Sequence, residues 1–219
     1  MSGRPGARGL AAAALAAALA LGAAACTSGG DSGQVRGLCG PAAASATGQA
    51  LRAVLGTDEF TAKVETPDED FVARMRKNLR EREDRRSTVP TYLCGYFPEG
   101  SEERMVLDYA WNPADQRGQD SAERYGLNGA TGVTGPLSAG LYVECTLPGD
   151  LAEPSRSAVL RADAALTIDR GRDLDEAARE QRLRYLYLMT RDVTEMLGCE
   201  NKPLAKEPVV APETKRSGS

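Results

Sequence analysis

The stretch DLDEAAREQRLRYLYLMTRDVTEMLGC, residues 173–199, carries the strongest secondary-structure signal in the chain. Its apolar residues recur at helical spacing along one broad face, and most charges lie opposite, which predicts a long amphipathic helix. Asp173 and Glu176 stand three residues apart and predict a capping box in its Asp variant at the helix start. Gly198 marks the predicted end, and Cys199 follows it directly.

The segments before this helix alternate apolar and polar residues, which is the pattern of half-buried strands. Four strands are predicted in this region, at residues 91–97 (TYLCGYF), 104–111 (RMVLDYAW), 141–147 (LYVECTL) and 157–169 (SAVLRADAALTID). The last two could pair with each other as a hairpin. Between them and the earlier pair, residues 112–140 are rich in Gly, Asn, Asp and Ser and predict a long surface loop, with a short helical piece near residues 121–125.

The amino-terminal half predicts two further helices and one strand. Residues 40–56 have Pro near the start and Gly56 past the end, the asymmetry expected of a helix. Residues 59–65 (EFTAKVE) alternate as a short strand. Residues 66–86 open with Thr66 as a cap and Pro67 at the first helical position, and their apolar stripe ends at residue 79.

This order of elements predicts an α+β domain over residues 38–200. We expect an antiparallel sheet of about five strands, with the N-terminal and the long C-terminal helices packed on one face. Residues 201–219 contain three prolines and many charges and predict a disordered tail.

Four cysteines, Cys39, Cys94, Cys145 and Cys199, are widely spaced and form no C-x-x-C pair. In an exported chain this pattern predicts two disulfides, for which three connectivities are possible. Free thiols or a metal site are the alternatives, but zinc favours close cysteine pairs or histidine. Because Cys39 lies at a helix start and Cys199 at a helix end, we favour the pairs Cys39–Cys94 and Cys145–Cys199, each joining a helix to a strand.

The fifth cysteine, Cys26, follows an apolar run that Arg4 and Arg8 precede. Residues 1–25 therefore predict a signal peptide. Either it is cleaved after residue 25 as in a soluble secreted protein, or it is a lipoprotein signal in which Cys26 is acylated; the small residues before Cys26 favour the second reading. Residues 26–37 then form a lipid-anchored flexible tether. The lipid bilayer is the predicted partner, and the outer face of the cell membrane is the predicted location.

Removal of residues 1–25 changes the net charge from −4 to −6, because they carry two Arg and no acid. A mildly acidic chain argues against a nucleic-acid partner. The sequence has no histidine, which excludes Ser-His-Asp and Cys-His catalysis and H-E-x-x-H metalloproteases. Residues 129–135 (GATGVTG) lack the spacing of a phosphate-binding loop. Residues 169–176 (DRGRDLDE) do not match a calcium loop. We predict no catalytic residue, no metal and no cofactor.

Two surface features leave alternatives open. The basic run at residues 74–86 is either a solvated helix face or a contact to anionic lipid head groups. The strand aromatics are either core residues or the lining of a ligand groove. They are Tyr92, Tyr96, Tyr109, Trp111 and Tyr142.

The chain resembles a broad group of small actinobacterial secreted lipoproteins of unknown function. The residues that carry the resemblance are AAAC at 23–26, LCGPAAASATGQALRAVLG at 38–56, YLCGYF at 92–97 and a C-terminal helix after paired strands. The two-disulfide layout is also similar to the extracellular sensor domain of a mycobacterial serine/threonine kinase. The resemblance implies export, anchoring and ligand sensing, and it implies no catalytic residue.

Taken together, these features predict a membrane-anchored extracytoplasmic lipoprotein that acts as a non-catalytic ligand-binding or sensing module. Its partner would be an unknown small molecule or an envelope protein. The alternatives are a structural or protein-interaction lipoprotein of the cell envelope and, third, an enzyme that uses carboxylates alone.

Overall fold

The computed structural model describes residues 37–83, 85–118, 123–167 and 175–213. The helices are α1 (Ala46–Leu55), α2 (Asp68–Arg80), α3 (Ala152–Arg156), which a 3₁₀ turn (Gly149–Leu151) precedes, and α4 (Glu176–Leu197). The strands are β1 (Phe60–Val64), β2 (Thr91–Pro98), β3 (Met105–Pro113), β4 (Glu123–Leu127), β5 (Ala130–Gly135), β6 (Ser138–Val143), β7 (Ala158–Leu166) and β8 (Ala211–Pro212).

All eight strands belong to one antiparallel sheet in the order β1-β2-β3-β7-β6-β5-β4-β8. The α+β class, the antiparallel sheet and the long C-terminal helix are therefore confirmed. The expectation of about five strands is wrong, since the sheet has eight.

The additional strands come mostly from residues 112–140, which we expected to form a surface loop. β4, β5 and the first part of β6 lie in this range, and residues 123–125 are strand rather than helix. At least one of the glycines that suggested a loop is instead required for close packing. At Gly132 of β5 a Cβ atom would come within 2.8 Å of the Leu183 side chain of α4, so the glycine lets the helix approach the sheet closely.

β6 and β7 are antiparallel neighbours, as predicted for the pair of segments in which they lie. The connection is not a tight hairpin, however, because the 3₁₀ turn and α3 lie between them. β6 also ends at Val143, so residues 144–147 of the predicted strand lie outside the sheet.

The helices cover one face of the sheet. α2 contacts β2 and β3, α4 contacts β5, β6 and β7, and α1 packs against α4. Beneath them Met105, Leu107, Tyr109 and Trp111 of β3 are all 0 % exposed. The indole Nε1 of Trp111 donates a 2.9 Å hydrogen bond to the carbonyl of Met75 in α2, which satisfies the one polar group of this large buried side chain.

The helix ends follow ordinary capping chemistry, with two differences from the predictions. α1 begins after Ser45, whose hydroxyl accepts from the amide of Gly48, and ends at Gly56 in the left-handed conformation. α2 has no side-chain cap: the predicted cap Thr66 is buried, and Pro67 occupies the cap position. α4 is capped by Asp175, whose side chain accepts from the amide of Ala178. The predicted Asp173 lies outside the described residues.

Two disulfides join Cys39 to Cys94 and Cys145 to Cys199, which are the pairs that the sequence analysis favours. The first ties the segment before α1 to β2. The second ties the end of α4 to the residues that follow β6.

The segment 201–213, expected to be a disordered tail, lies against the domain. Leu204 is 1 % exposed, and Ala211–Pro212 pairs with β4 as β8. The hydroxyl of Tyr187 in α4 donates to the carbonyl of Lys206 at 2.9 Å. Residues 214–219 lie outside the described part of the chain, as do residues 1–36 with the predicted signal, Cys26 and nearly all of the tether. Among the described helices, none combines the length and the apolar character that a membrane span requires.

Candidate functional site: the open face of the sheet

We call the face of the sheet opposite the helices the open face. Burial alternates along its central strands. On β7, Leu160, Ala162 and Ala164 are buried toward the helices, whereas Arg161 and Asp163 between them are only half-buried. The open face thus carries charged side chains in the middle of the sheet rather than at its rim.

Strand register aligns a set of open-face residues in one row across six strands. Each member is the direct partner of the next on the neighbouring strand. This cross-sheet row consists of Tyr92 on β2, Asp108 on β3, Asp163 on β7, Gly140 on β6, Val133 on β5 and Arg124 on β4.

Two carboxylates face each other at the centre of the cross-sheet row, although like charges opposite each other disfavour strand pairing. Arg161 neutralises the charge of one of them, since its guanidinium donates to Asp163 Oδ1 at 3.0 Å. Asp108 has no such partner: among the described residues its carboxylate accepts no hydrogen bond and forms no ion pair.

The pKa of Asp108 is raised to about 6: burial is the largest cause, the charge of Asp163 adds to it, and the charge of Arg161 opposes it. Burial also raises the pKa of Asp163, and Arg161 lowers it in part. The centre of the open face is therefore an acidic pair that shares one guanidinium, and only Asp163 forms an ion pair with it.

The neighbouring charges on the open face are already paired. Lys63 of β1 forms an ion pair with Glu65 at 2.9 Å. Arg124, at the far end of the cross-sheet row, pairs with Glu213 at 3.1 Å. Neither cation therefore serves as the missing counter-charge of Asp108.

The residues around the acidic pair are small and closely packed. Gly140 lies directly opposite Asp163, and a Cβ atom there would stand 3.2 Å from Asp163 Oδ1 and 2.9 Å from the Val133 side chain. Ala110 lies beside Asp108 on β3 and is 3 % exposed. The two carboxylates thus lie among small, tightly packed neighbours.

Tyr92 stands at the other side of Asp108 and is 54 % exposed. It lies immediately before a β-bulge, where the register shifts between Tyr92 and Cys94. The bulged residue Leu93 is fully buried, and its carbonyl accepts from the amide of Glu65 at 2.9 Å. The bulge keeps Leu93 and Cys94 in the core while the tyrosine ring stays on the open face next to the unpaired carboxylate.

The loop after β3 covers the part of the open face nearest β5 and β6. At Gly118 a Cβ atom would come within 2.5 Å of the Val133 side chain and 3.3 Å of the Tyr142 ring. The carbonyl of Gly118 accepts from Arg124 at 3.4 Å, and Arg117 pairs with Glu144. This side of the face is therefore shielded, and Tyr92 and Asp108 lie on the more accessible side.

The structure divides the strand aromatics that the sequence analysis considered. Tyr96, Tyr109 and Trp111 are 0 % exposed core residues, and burial raises the pKa of Tyr96 to about 12. Tyr92 and Tyr142 lie on the open face. The core reading holds for the first three, and the groove reading stays open for the other two.

The basic run at residues 74–86 is largely occupied by contacts with its own domain. Arg76 donates to the carbonyl of Leu197, and Arg80 pairs with Asp150 at 2.9 Å. Arg82 donates to Ser157. These contacts give the arginines a role in holding α2 to the rest of the domain, and the lipid head-group reading finds no support in them.

Sequence reasoning did not identify Asp108 and Asp163 as site residues. The available signal was their outward position in two otherwise apolar strands, RMVLDYAW and SAVLRADAALTID. The two residues could not be recognised as a pair without the order of the strands, because β3 and β7 are far apart in the sequence but adjacent in the sheet.

Apart from the open face, a concavity of about 600 Å³ lies at the carboxyl end of α4. Its lining includes Arg191, Glu195, Cys199, Lys202 and Leu204. The helix-end carbonyls there are already hydrogen-bonded to the amides of residues 198 and 199, and Arg191 pairs with Glu207. Among the described residues no group of three or more side chains is arranged to hold a metal ion.

No protein-family model, no curated protein and no solved structure matches this chain. The family resemblance drawn from the sequence therefore stays a prediction, and the assignment of a function depends on the geometry of the open face.

Proposed function

We propose that this protein is a membrane-anchored extracytoplasmic lipoprotein whose domain binds a ligand, without catalysis, on the open face of its sheet. The observation that carries the proposal is Asp108. It is a half-buried carboxylate that forms no ion pair among the described residues, in the centre of a sheet face that no described helix covers. Burying an uncompensated charge is unfavourable, and a ligand that supplies the missing charge or hydrogen bond would offset this cost.

The two disulfides support the extracytoplasmic part of the proposal, because such bridges persist in oxidising compartments. The anchor rests on the sequence alone, on the apolar run that ends at Cys26. With all four remaining cysteines paired, Cys26 is the one thiol left for acylation.

The site chemistry favours binding over catalysis. The chain has no histidine, and the acidic pair has Arg161, Tyr92 and Gly140 as its neighbours on the sheet. A protein-interaction role is the alternative. It is favoured by β1, an edge strand that has no strand partner on its outer side within the described part of the chain.

Cell fractionation and acylation labelling test the anchor. Wild-type protein should take up palmitate and sediment with membranes, whereas Cys26→Ala should do neither and should keep both disulfides. Labelling that persists in Cys26→Ala would contradict the anchor.

Native mass spectrometry tests the binding role, using the full chain in detergent with a size-filtered envelope extract. A small molecule retained by wild type and by Asp58→Asn, an exposed acid near α1, should be lost from Asp108→Asn. Asp58 has 85 % side-chain exposure and lies away from the cross-sheet row, so it is the matched control. Retention of the same molecule by Asp108→Asn would contradict the open face as its site.

A further inference from the structure

We propose that the ligand of the open face carries an alkylammonium group, which Asp108 binds beside the ring of Tyr92. This inference rests on the proposed function and specifies its ligand class. Three independent features of the face lead to it: the charge balance of the central residues, the aromatic neighbour of Asp108, and the shape of the floor around the carboxylates.

The charge balance favours a cation. Asp108 and Asp163 lie opposite each other and share one guanidinium, which hydrogen-bonds to Asp163. The three groups together carry one excess negative charge when both carboxyls are ionised. Lys63 and Arg124, the nearby cations on the open face, are committed to Glu65 and Glu213. An ammonium ion on Asp108 would complete two ion pairs side by side.

The aromatic neighbour distinguishes an organic cation from a metal ion. Tyr92 is the direct cross-strand partner of Asp108 and is 54 % exposed. A directly opposite pair brings the two Cβ atoms within about 5 Å, so an ammonium held by the carboxylate lies in reach of the ring. Metal ions would require several oxygen ligands, and no such group exists among the described side chains.

The floor around the carboxylates sets the direction of the alkyl chain. Arg161 is the direct cross-strand partner of Ala110, so the side of Asp108 toward Ala110 already carries a cation. The loop at Gly118 closes the far side of the face over Val133 and Tyr142. A short alkyl chain extending from the ammonium group therefore runs over the Tyr92 side of Asp108, away from the guanidinium.

Isothermal titration of the full chain in detergent at pH 7.5 tests the inference with three probes of equal length. The diammonium probe is 1,5-diaminopentane, and its neutral and anionic counterparts are 1,5-pentanediol and pentanedioate. We expect the diammonium compound to bind at least about tenfold more tightly than either counterpart, the ratio expected for one charge-assisted hydrogen bond.

Three variants locate the binding. Asp108→Asn should weaken diaminopentane binding about tenfold, since the isosteric amide keeps the shape and removes the charge. Tyr92→Leu should weaken it a few-fold, the size of an exposed cation–π contact. Asp58→Asn, the control, should change it less than twofold. Equal binding by the diol, or unchanged binding by Asp108→Asn, would overturn the inference.

A further arm separates two sources of the same group. N-acetyl-Gly-Lys-Gly-amide presents an alkylammonium on a peptide, and diaminopentane presents it on a free molecule. Binding of either probe that depends on Asp108 supports the inference. The ratio of the two affinities then shows whether the site prefers the alkylammonium on a peptide or on a free molecule. If both fail while an envelope-extract molecule still requires Asp108, the alkylammonium class is wrong and the proposed function stands. If the extract also gives no Asp108-dependent ligand, the proposed function fails as well.

Discussion

Asp108 and Asp163 lie directly opposite each other on β3 and β7, and only Asp163 has a guanidinium partner. A sheet built for stability alone would place unlike charges, or β-branched and aromatic residues, at such a pair. The arrangement therefore lowers the stability of the free protein at neutral pH, and its consequences can be measured without knowledge of the ligand.

The first prediction concerns pH. The pKa of Asp108 in the folded domain is about 6, above its ordinary value of 3.8, so the folded state binds more protons between these values. The contribution of Asp108 to the free energy of unfolding should therefore be fully present below about pH 4 and should be lost as the pH rises through about 6. For this partly exposed carboxyl we expect a loss on the order of 1–2 kcal/mol after solvent screening is considered.

Urea unfolding of wild type and Asp108→Asn at a series of pH values measures this contribution of Asp108 to the free energy of unfolding. The variant keeps Asp163, Arg161, Tyr92 and Tyr142, the other titratable groups of this part of the face, so the difference between the two profiles isolates Asp108. Asp108→Asn should gain relative stability as the pH rises from 4 to 7. Parallel profiles would show that Asp108 titrates normally.

The second prediction concerns the glycine opposite Asp163. In Gly140→Ala the new Cβ would stand 2.9 Å from a Val133 methyl group and 3.2 Å from the Asp163 carboxylate. Since neither neighbour has free space, we expect a loss of about 1–2 kcal/mol in unfolding free energy. Gly126→Ala is the control on the same face, because its Cβ would have nothing nearer than 3.9 Å. Chemical unfolding that ranks the two variants equally would refute the crowding at Gly140.

A third test addresses the segment after α4. Leu204 is 1 % exposed and Val209, five residues later, is 61 % exposed. Truncating a buried leucine removes contacts and leaves a cavity, so Leu204→Ala should cost about 2–4 kcal/mol. Val209→Ala should lie within about 0.5 kcal/mol of wild type. Thermal unfolding compares them, and a Leu204→Ala protein as stable as Val209→Ala would mean that the segment does not pack in solution.

The fourth prediction concerns the disulfide between Cys145 and Cys199. It links residues 54 apart in the sequence, for which the chain-entropy model gives about 4 kcal/mol. The double variant Cys145→Ala/Cys199→Ala should therefore unfold at markedly lower urea concentration under non-reducing conditions. Cys26→Ser should unfold like wild type, and an equal loss in that variant would place Cys26 in a bridge.

The sequence was sufficient to predict the elements with strong periodicity. α4 and β3 have apolar faces that repeat at helical and strand spacing, and the structure buries those faces. The two disulfide pairs that the sequence favoured are those of the structure, although the sequence pattern left all three connectivities open.

β4 and β5 were missed for a physical reason. Their glycines and small residues are those of a loop by composition, yet Gly132 is glycine because Leu183 and Leu127 occupy the space of a side chain. The segment 201–213 was missed because its composition does not report the contacts that hold it, such as the burial of Leu204 and the hydrogen bond from Tyr187 to the Lys206 carbonyl. The acidic pair depends on the order of strands, which local patterns do not encode.

β8 has a consequence for self-association. An uncovered edge of β4 would offer its amides and carbonyls to any other extended chain, the usual route to edge-to-edge aggregation. β8 occupies that edge, and its Pro212 has no amide with which to continue the ladder. At the opposite edge, β1 places Lys63 in the middle of its five residues, a charge that discourages stacking. Proteolytic removal of the last fifteen or so residues would therefore leave a chain that polymerises more readily at high local concentration.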